Sequence, residues 1–92
     1  ASGLTVVHFN AGWNSANNVK WFGGLSDAKK KRCDIVTDAA AATKYEIVVV
    51  PTIIIFNGGK EVKRYQADIS FSIKATKSQV QGKIDDILME SF

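Results

Sequence analysis

The sequence predicts one mixed α/β domain, with a central mixed sheet of four to five strands flanked by helices. Three observations carry that expectation. Val48-Val49-Val50-Pro51-Thr52-Ile53-Ile54-Ile55-Phe56 is the longest apolar run, is largely β-branched and holds the only proline. Strand-like segments alternate with capped helical patterns through most of the chain. The 92 residues, 46% hydrophobic and 23% charged, suit a single small globular domain spanning 1–92.

The elements follow in order. Leu4-Thr5-Val6-Val7-His8-Phe9 is almost continuously apolar, as expected of a strand buried on both faces. A polar turn from Asn10 to Asn18 comes next, with several residues able to cap a helix. Val19, Phe22 and Leu25 recur at helical spacing, and Gly23-Gly24 weakens or splits that helix at about 1 kcal/mol per glycine. Ser26-Asp27 is expected to open a second short helix ending at Arg32, and Cys33 to Thr37 a short strand. Asp38 caps a compact helix from Ala39 to Tyr45. Pro51 lacks an N–H, so it belongs at the opening of the next strand, which begins at Thr52. Asn57-Gly58-Gly59-Lys60 is a tight turn, and Glu61 to Tyr65 the return arm of a hairpin. Tyr65, Ala67, Ile69, Phe71 and Ile73 then alternate with polar residues. They suggest a strand that either runs on past the sheet as a partner surface or, the favoured expectation, folds back to close an edge. Thr76-Lys77-Ser78-Gln79 is a capping box, followed by the apolar stripe Val80, Ile84, Ile87 and Leu88. Helical connections favour parallel pairing of the first three strands, with the hairpin arm antiparallel.

Composition narrows the function. No apolar run approaches the roughly 18 residues of a membrane span, and no signal peptide is visible at the start, so a non-membrane, cytoplasmic protein is expected. The net charge of +3 is mild. Lys29-Lys30-Lys31-Arg32 reads as a solvated helix end, with an anionic partner as the alternative. No aromatic–basic interleaving suggests nucleic-acid binding. One cysteine excludes an internal disulfide framework, and no spacing suits a metal, so no metal or cofactor is expected.

Four segments resemble the thioredoxin superfamily. Val6-Val7-His8-Phe9-Asn10-Ala11-Gly12-Trp13 resembles the strand leading to the redox site, where a Trp precedes the motif. Lys44-Tyr45-Glu46-Ile47-Val48-Val49-Val50-Pro51-Thr52 resembles the family's Pro-Thr signature. Ile53 to Val62 resembles its hairpin, and the closing amphipathic helix fits as well. Within the family, the Val-Val-His-Phe strand is similar to that of the thioredoxin-like domain of multidomain monothiol glutaredoxins. The resemblance implies a thioredoxin-like fold, a cis Val50–Pro51 bond, and a binding groove formed by Trp13, Asn14, Ser15, Ala16, Asn17, Val50, Pro51 and Gln66. In the family the residue before the proline pairs through its backbone with an extended peptide.

The departures from the family pattern decide the expected function. Asn14-Ser15-Ala16-Asn17 stands where the family has two cysteines flanking a dipeptide. Dithiol exchange needs an attacking thiolate and a resolving thiol, and an amide supplies neither. Relative to the family, the first strand and helix are missing, His8 and Asn10 replace an acid and a second Trp, and Gln66 narrows the groove. No catalytic residue is assigned. The expected role is a redox-inactive, non-catalytic interaction module for a protein partner, either an extended peptide or a larger complex. The alternative is a monothiol or glutathione-binding redox protein using Cys33. Against these readings stand plainer ones: Asn14 to Asn17 as capping residues, His8 as a hydrogen-bonded core residue, and Cys33 as a small buried hydrophobe.

Overall fold

The computed structural model describes residues 3–90. Four strands form one sheet: β1 (Leu4–Asn10), β2 (Lys29–Asp34), β3 (Thr52–Asn57) and β4 (Lys60–Gln66). Their order is β2-β1-β3-β4. β2 runs parallel to β1, with Val7 opposite Lys31 and Phe9 opposite Cys33. β3 runs antiparallel to β1, and β4 antiparallel to β3. Helix α1 (Ala39–Lys44) lies between β2 and β3, and α2 (Lys77–Glu90) follows the hairpin.

β1 and β3 are largely apolar, as suits strands covered on both faces. Leu4, Val6, Ile53 and Ile55 point to one side, where Val19, Phe22, Leu25, Val80, Ile84 and Ile87 complete the main core. Phe9, Ile54 and Phe56 point to the other and meet Ala41, Tyr45 and Ile47. The capping box at Thr76 forms as its sequence requires. The Gln79 N–H donates to Thr76 Oγ1 at 3.2 Å, and the Thr76 N–H to Gln79 Oε1 at 2.9 Å. Asp38 caps α1 through the Ala41 N–H at 3.1 Å. Gly58 and Gly59 both have positive φ, +62° and +85°, the geometry a two-residue hairpin turn demands. The Val50–Pro51 peptide bond is cis.

Four expectations are corrected. First, β3 is antiparallel, not parallel, to β1. The six residues of α1 rise only about 9 Å, too little to return the chain along a strand of about 20 Å. The chain therefore re-enters the sheet at the end where it left. Second, Lys29 to Arg32 are not a helix end. They form most of β2, an exposed edge strand. Cationic side chains suit such an edge, because they oppose pairing with another chain. The expected strand beyond Asp34 is instead a turn around that residue. Its carboxylate accepts from the Val36 N–H at 2.8 Å, and its carbonyl from the Asp38 N–H at 2.9 Å.

Third, Val19, Phe22 and Leu25 are buried as predicted, but on irregular chain rather than a regular α-helix. One short 3₁₀ segment, Phe22–Gly24, stands in its place, and another, Gly12–Asn17, falls within the polar turn before it. Fourth, the stretch after β4 is not a strand, either continued or folded back. Asp68 ends it. Its carboxylate accepts from the Ser70 N–H at 2.8 Å, and its carbonyl from the Phe71 N–H at 3.0 Å. This turn breaks the alternation: Ile69 is fully exposed, whereas Ile73 and Ala75 pack on the main core.

Candidate functional site

The segment Gly12–Asn17 leaves the end of β1 as a 3₁₀ turn interrupted at Asn14, whose φ is −111°. Asn14 is 5% exposed and ties four parts of the chain together. Its Nδ2 donates to Asn10 Oδ1 and to the Phe71 carbonyl, each at 3.1 Å, with the Val50 carbonyl at a longer 3.4 Å. Its Oδ1 accepts from Asn17 Nδ2 at 2.8 Å. Asn10, also buried, donates to the Asn14 carbonyl at 3.1 Å and to Asn18 Oδ1. Four asparagines thus satisfy one another at the end of the sheet. A buried amide without partners would cost a few kcal/mol, so this network holds the turn in one conformation.

The predicted groove residues divide into two sets. Asn14, Val50 and Pro51 are buried, and the Asn14 amide bridges the Val50 and Phe71 carbonyls. The chain's own segment after β4 therefore stands beside the proline turn. Trp13, Ser15, Ala16, Asn17 and Gln66 face solvent. Trp13 is 66% exposed, and its ring meets that of Phe71 edge-on, with centroids 5.5 Å apart at 86°. Phe71 is 44% exposed and has a positive φ of 59°, a backbone region that a bulky residue occupies only under strain. Asn10, Asn18 and Phe71 complete the cluster. The asparagine spacing at 10, 14 and 18 was a readable sign of it, whereas nothing in the sequence connects Phe71 to Trp13.

Cys33 is half-buried on the α1 side of the sheet, packed against the Phe9, Ile54 and Phe56 cluster. Its strand neighbour Asp34 is in register with Asn10 and so lies on the opposite face. Burial pushes the Cys33 thiol above its ordinary pKa, and the carboxylates of Asp38 and Asp34 add to the effect. The shift disfavours the thiolate, which is the reactive form. A cavity of about 270 Å³ lies beside the turn, lined by Asn10, Gly12, Ser15, Asn18, Arg32, Cys33 and Asp34 among others. His8 is a core residue. Its Nε2 accepts from the Val19 N–H at 3.1 Å, and its ring packs near Phe22. Desolvation, then the nearby Arg32 charge, lowers its pKa to about 4. Among the described residues no cluster of His, Cys, Asp or Glu could hold a metal ion, and no helix is long and apolar enough to cross a membrane.

Neither a protein-family model nor a curated protein matches the chain. Solved structures do. A mutant thioredoxin from Halobacterium salinarum is 19% identical with a TM-score of 0.72, over 92% of this chain and 74% of that one. Thioredoxin from Schistosoma mansoni is 25% identical at a TM-score of 0.69, over 92% and 77%. Fasciola hepatica thioredoxin is also 25% identical, at a TM-score of 0.64, over 92% and 82%. With its four-stranded mixed sheet flanked by helices, this chain has the thioredoxin-superfamily fold.

Proposed function

We propose that this domain is a redox-inactive, non-catalytic interaction module whose contact surface is the exposed Trp13–Phe71 pair. That pair carries the reading. Two large aromatic rings stand in solvent, edge-on to each other, above a rigid asparagine network. Ile69, 97% exposed, belongs to the same segment. Exposed aromatics on a preorganised base are what binding hot spots are made from. The partner is a protein that supplies an apolar pocket for these rings. This refines the expected groove, since the chain's own Phe71 segment already flanks Val50 and Pro51.

The rival reading, a monothiol or glutathione-binding protein using Cys33, has less support. Burial, with the Asp38 and Asp34 carboxylates, raises the thiol's pKa and so disfavours the reactive thiolate. A lone, unpaired cysteine also fits a reducing compartment such as the cytoplasm.

The test is affinity capture from cell extract under reducing conditions. It compares the wild type with a Trp13→Ala, Phe71→Ser double variant. The double variant should melt within a few degrees of wild type yet lose the captured partner. Retention of every partner would remove the aromatic pair from the reading. In parallel, insulin reduction with dithiothreitol should proceed at the uncatalysed rate. Turnover that vanishes on Cys33→Ser would make the enzyme reading the better one.

A further inference from the structure

β2 ends the sheet, and its outer side pairs with no strand among the described residues. The Ile35 N–H donates to the Asn10 carbonyl at 2.9 Å. In the alternation of a parallel ladder, the odd residues of β2 therefore bond to β1, and Lys30, Arg32 and Asp34 turn their N–H and C=O groups outward. The Asp34 carbonyl is taken by the Asp38 N–H, which closes the turn after the strand. The groups of Lys30 and Arg32 stay open. The opposite edge, β4, is shielded. A bulge at Val62 interrupts it, since Ile55 pairs with Lys63 and Phe56 with Glu61, and its Arg64 is paired with Glu61.

Charge sets the β2 edge apart. Lys29, Lys30, Lys31 and Arg32 are consecutive and exposed. Two of them are occupied on the main-core face. Lys30 Nζ donates to the Gly23 carbonyl at 2.7 Å, and the Arg32 guanidinium lies over the Phe22 ring and reaches the Val19 carbonyl. Lys29 and Lys31 are in register with Thr5 and Val7, so they stand on the α1 face at alternate positions. Neither is in an ion pair among the described residues, where the pairs are Arg64–Glu61 and Lys74–Asp68. The nearby carboxylates are committed. Asp38 caps α1 through the Ala41 N–H, and Asp34 accepts from the Val36 N–H. Such an edge repels a second copy of itself and attracts a strand of opposite charge.

We propose that β2 receives an added strand from a partner protein, an extended segment whose acidic side chains recur at every second position and face Lys29 and Lys31. The open backbone groups of Lys30 and Arg32 supply the ladder, and the two lysines select the sequence. The edge is separate from the Trp13–Phe71 surface, and each stands or falls without the other.

The probe is a blocked peptide alternating glutamate with valine, as long as the six residues of β2. It is titrated into the ¹⁵N-labelled protein at low salt. At saturation, hydrogen exchange at the Lys30 and Arg32 amides should slow by about tenfold or more, while the Lys31 amide, already bonded to β1, changes little. Two further peptides carry N-methyl groups on the glutamates alone or on the valines alone. One of them should fail to bind and the other bind like the parent, because only alternate N–H groups of an added strand face β2. A polyanion held by charge alone would not tell them apart. The double variant Lys29→Glu, Lys31→Glu should melt within a few degrees of wild type and bind the parent peptide roughly tenfold more weakly. A peptide with lysine in place of glutamate should prefer that variant to the wild type. The proposal is overturned if the Lys30 and Arg32 amides keep their exchange rates, if the two methylated peptides behave alike, or if the double variant keeps full affinity.

Discussion

Asn14 has two amide hydrogens and three oxygens within reach of them, those of Asn10, Val50 and Phe71. That count makes it an exacting position. Asn14→Asp keeps the shape but turns both donors into acceptors, so a buried carboxylate would face three oxygens. It should lower stability at neutral pH by at least about 3 kcal/mol, the scale of an uncompensated buried polar or charged group. Urea unfolding of the variant measures it directly. Stability equal to wild type would mean that the Asn14 side chain does not donate to the Val50 and Phe71 carbonyls. The contrast with Trp13 is instructive at this scale. The two are adjacent in sequence, yet one is buried and holds the turn while the other is two-thirds exposed and free to make contacts. Sequence could not assign those roles, because either residue type serves in either setting.

At the scale of elements, structure follows local chemistry wherever that chemistry is self-contained. The capping box, the Asp38 cap and the hairpin turn each depend on a few neighbouring residues, and each was legible. Gly58 and Gly59 test the point. A Cβ added at either meets no atom within 4 Å, so any loss on substitution comes from backbone conformation alone. Gly59→Ala should therefore cost about 1–2 kcal/mol in thermal or urea unfolding, the price of a left-handed residue bearing a Cβ. Gly23→Ala, also in open space but without a positive φ, should be neutral or slightly stabilising. A hairpin glycine no more sensitive than Gly23 would refute the turn assignment. What was not legible depends on partners distant in sequence. Lys29 to Arg32 carry no apolar pattern, and they are a strand only because β1 offers an edge to pair with. The direction of β3 is set by how little distance α1 covers. The alternation from Tyr65 to Ile73 was a true pattern with the wrong cause. One turn at Asp68 splits it, sending Ile73 to the core and Ile69 to solvent.

The molecule as a whole rests its site end on a neutral histidine. His8 sits in β1 and accepts the Val19 N–H, which fastens the irregular 19–25 segment over the main core. An accepting Nε2 carries no proton, so folding requires the unprotonated ring. Burial and Arg32 hold the native pKa at about 4, against an ordinary 6.5 that the unfolded chain regains. Between those values the unfolded state binds more protons than the native state, so stability falls as pH falls. This contribution is intact above pH 6.5, declines from there to about pH 4 and then levels off. At 1.36 kcal/mol per pKa unit, the full loss is roughly 3 kcal/mol. Asp68 and Glu61, whose carboxyl pKa values are lowered by hydrogen bonds from Ser70 and Arg64 respectively, add their own loss only at lower pH. The two sources therefore separate. Wild-type protein unfolded in urea at pH 7 and again at pH 4.5 should lose about 2.5 kcal/mol more than His8→Gln does over the same interval. The glutamine keeps an acceptor for Val19 but cannot take up a proton in this range. If the two proteins lose stability in parallel, the Val19 N–H is not held by His8, and the acid sensitivity of the fold lies in its carboxylates instead.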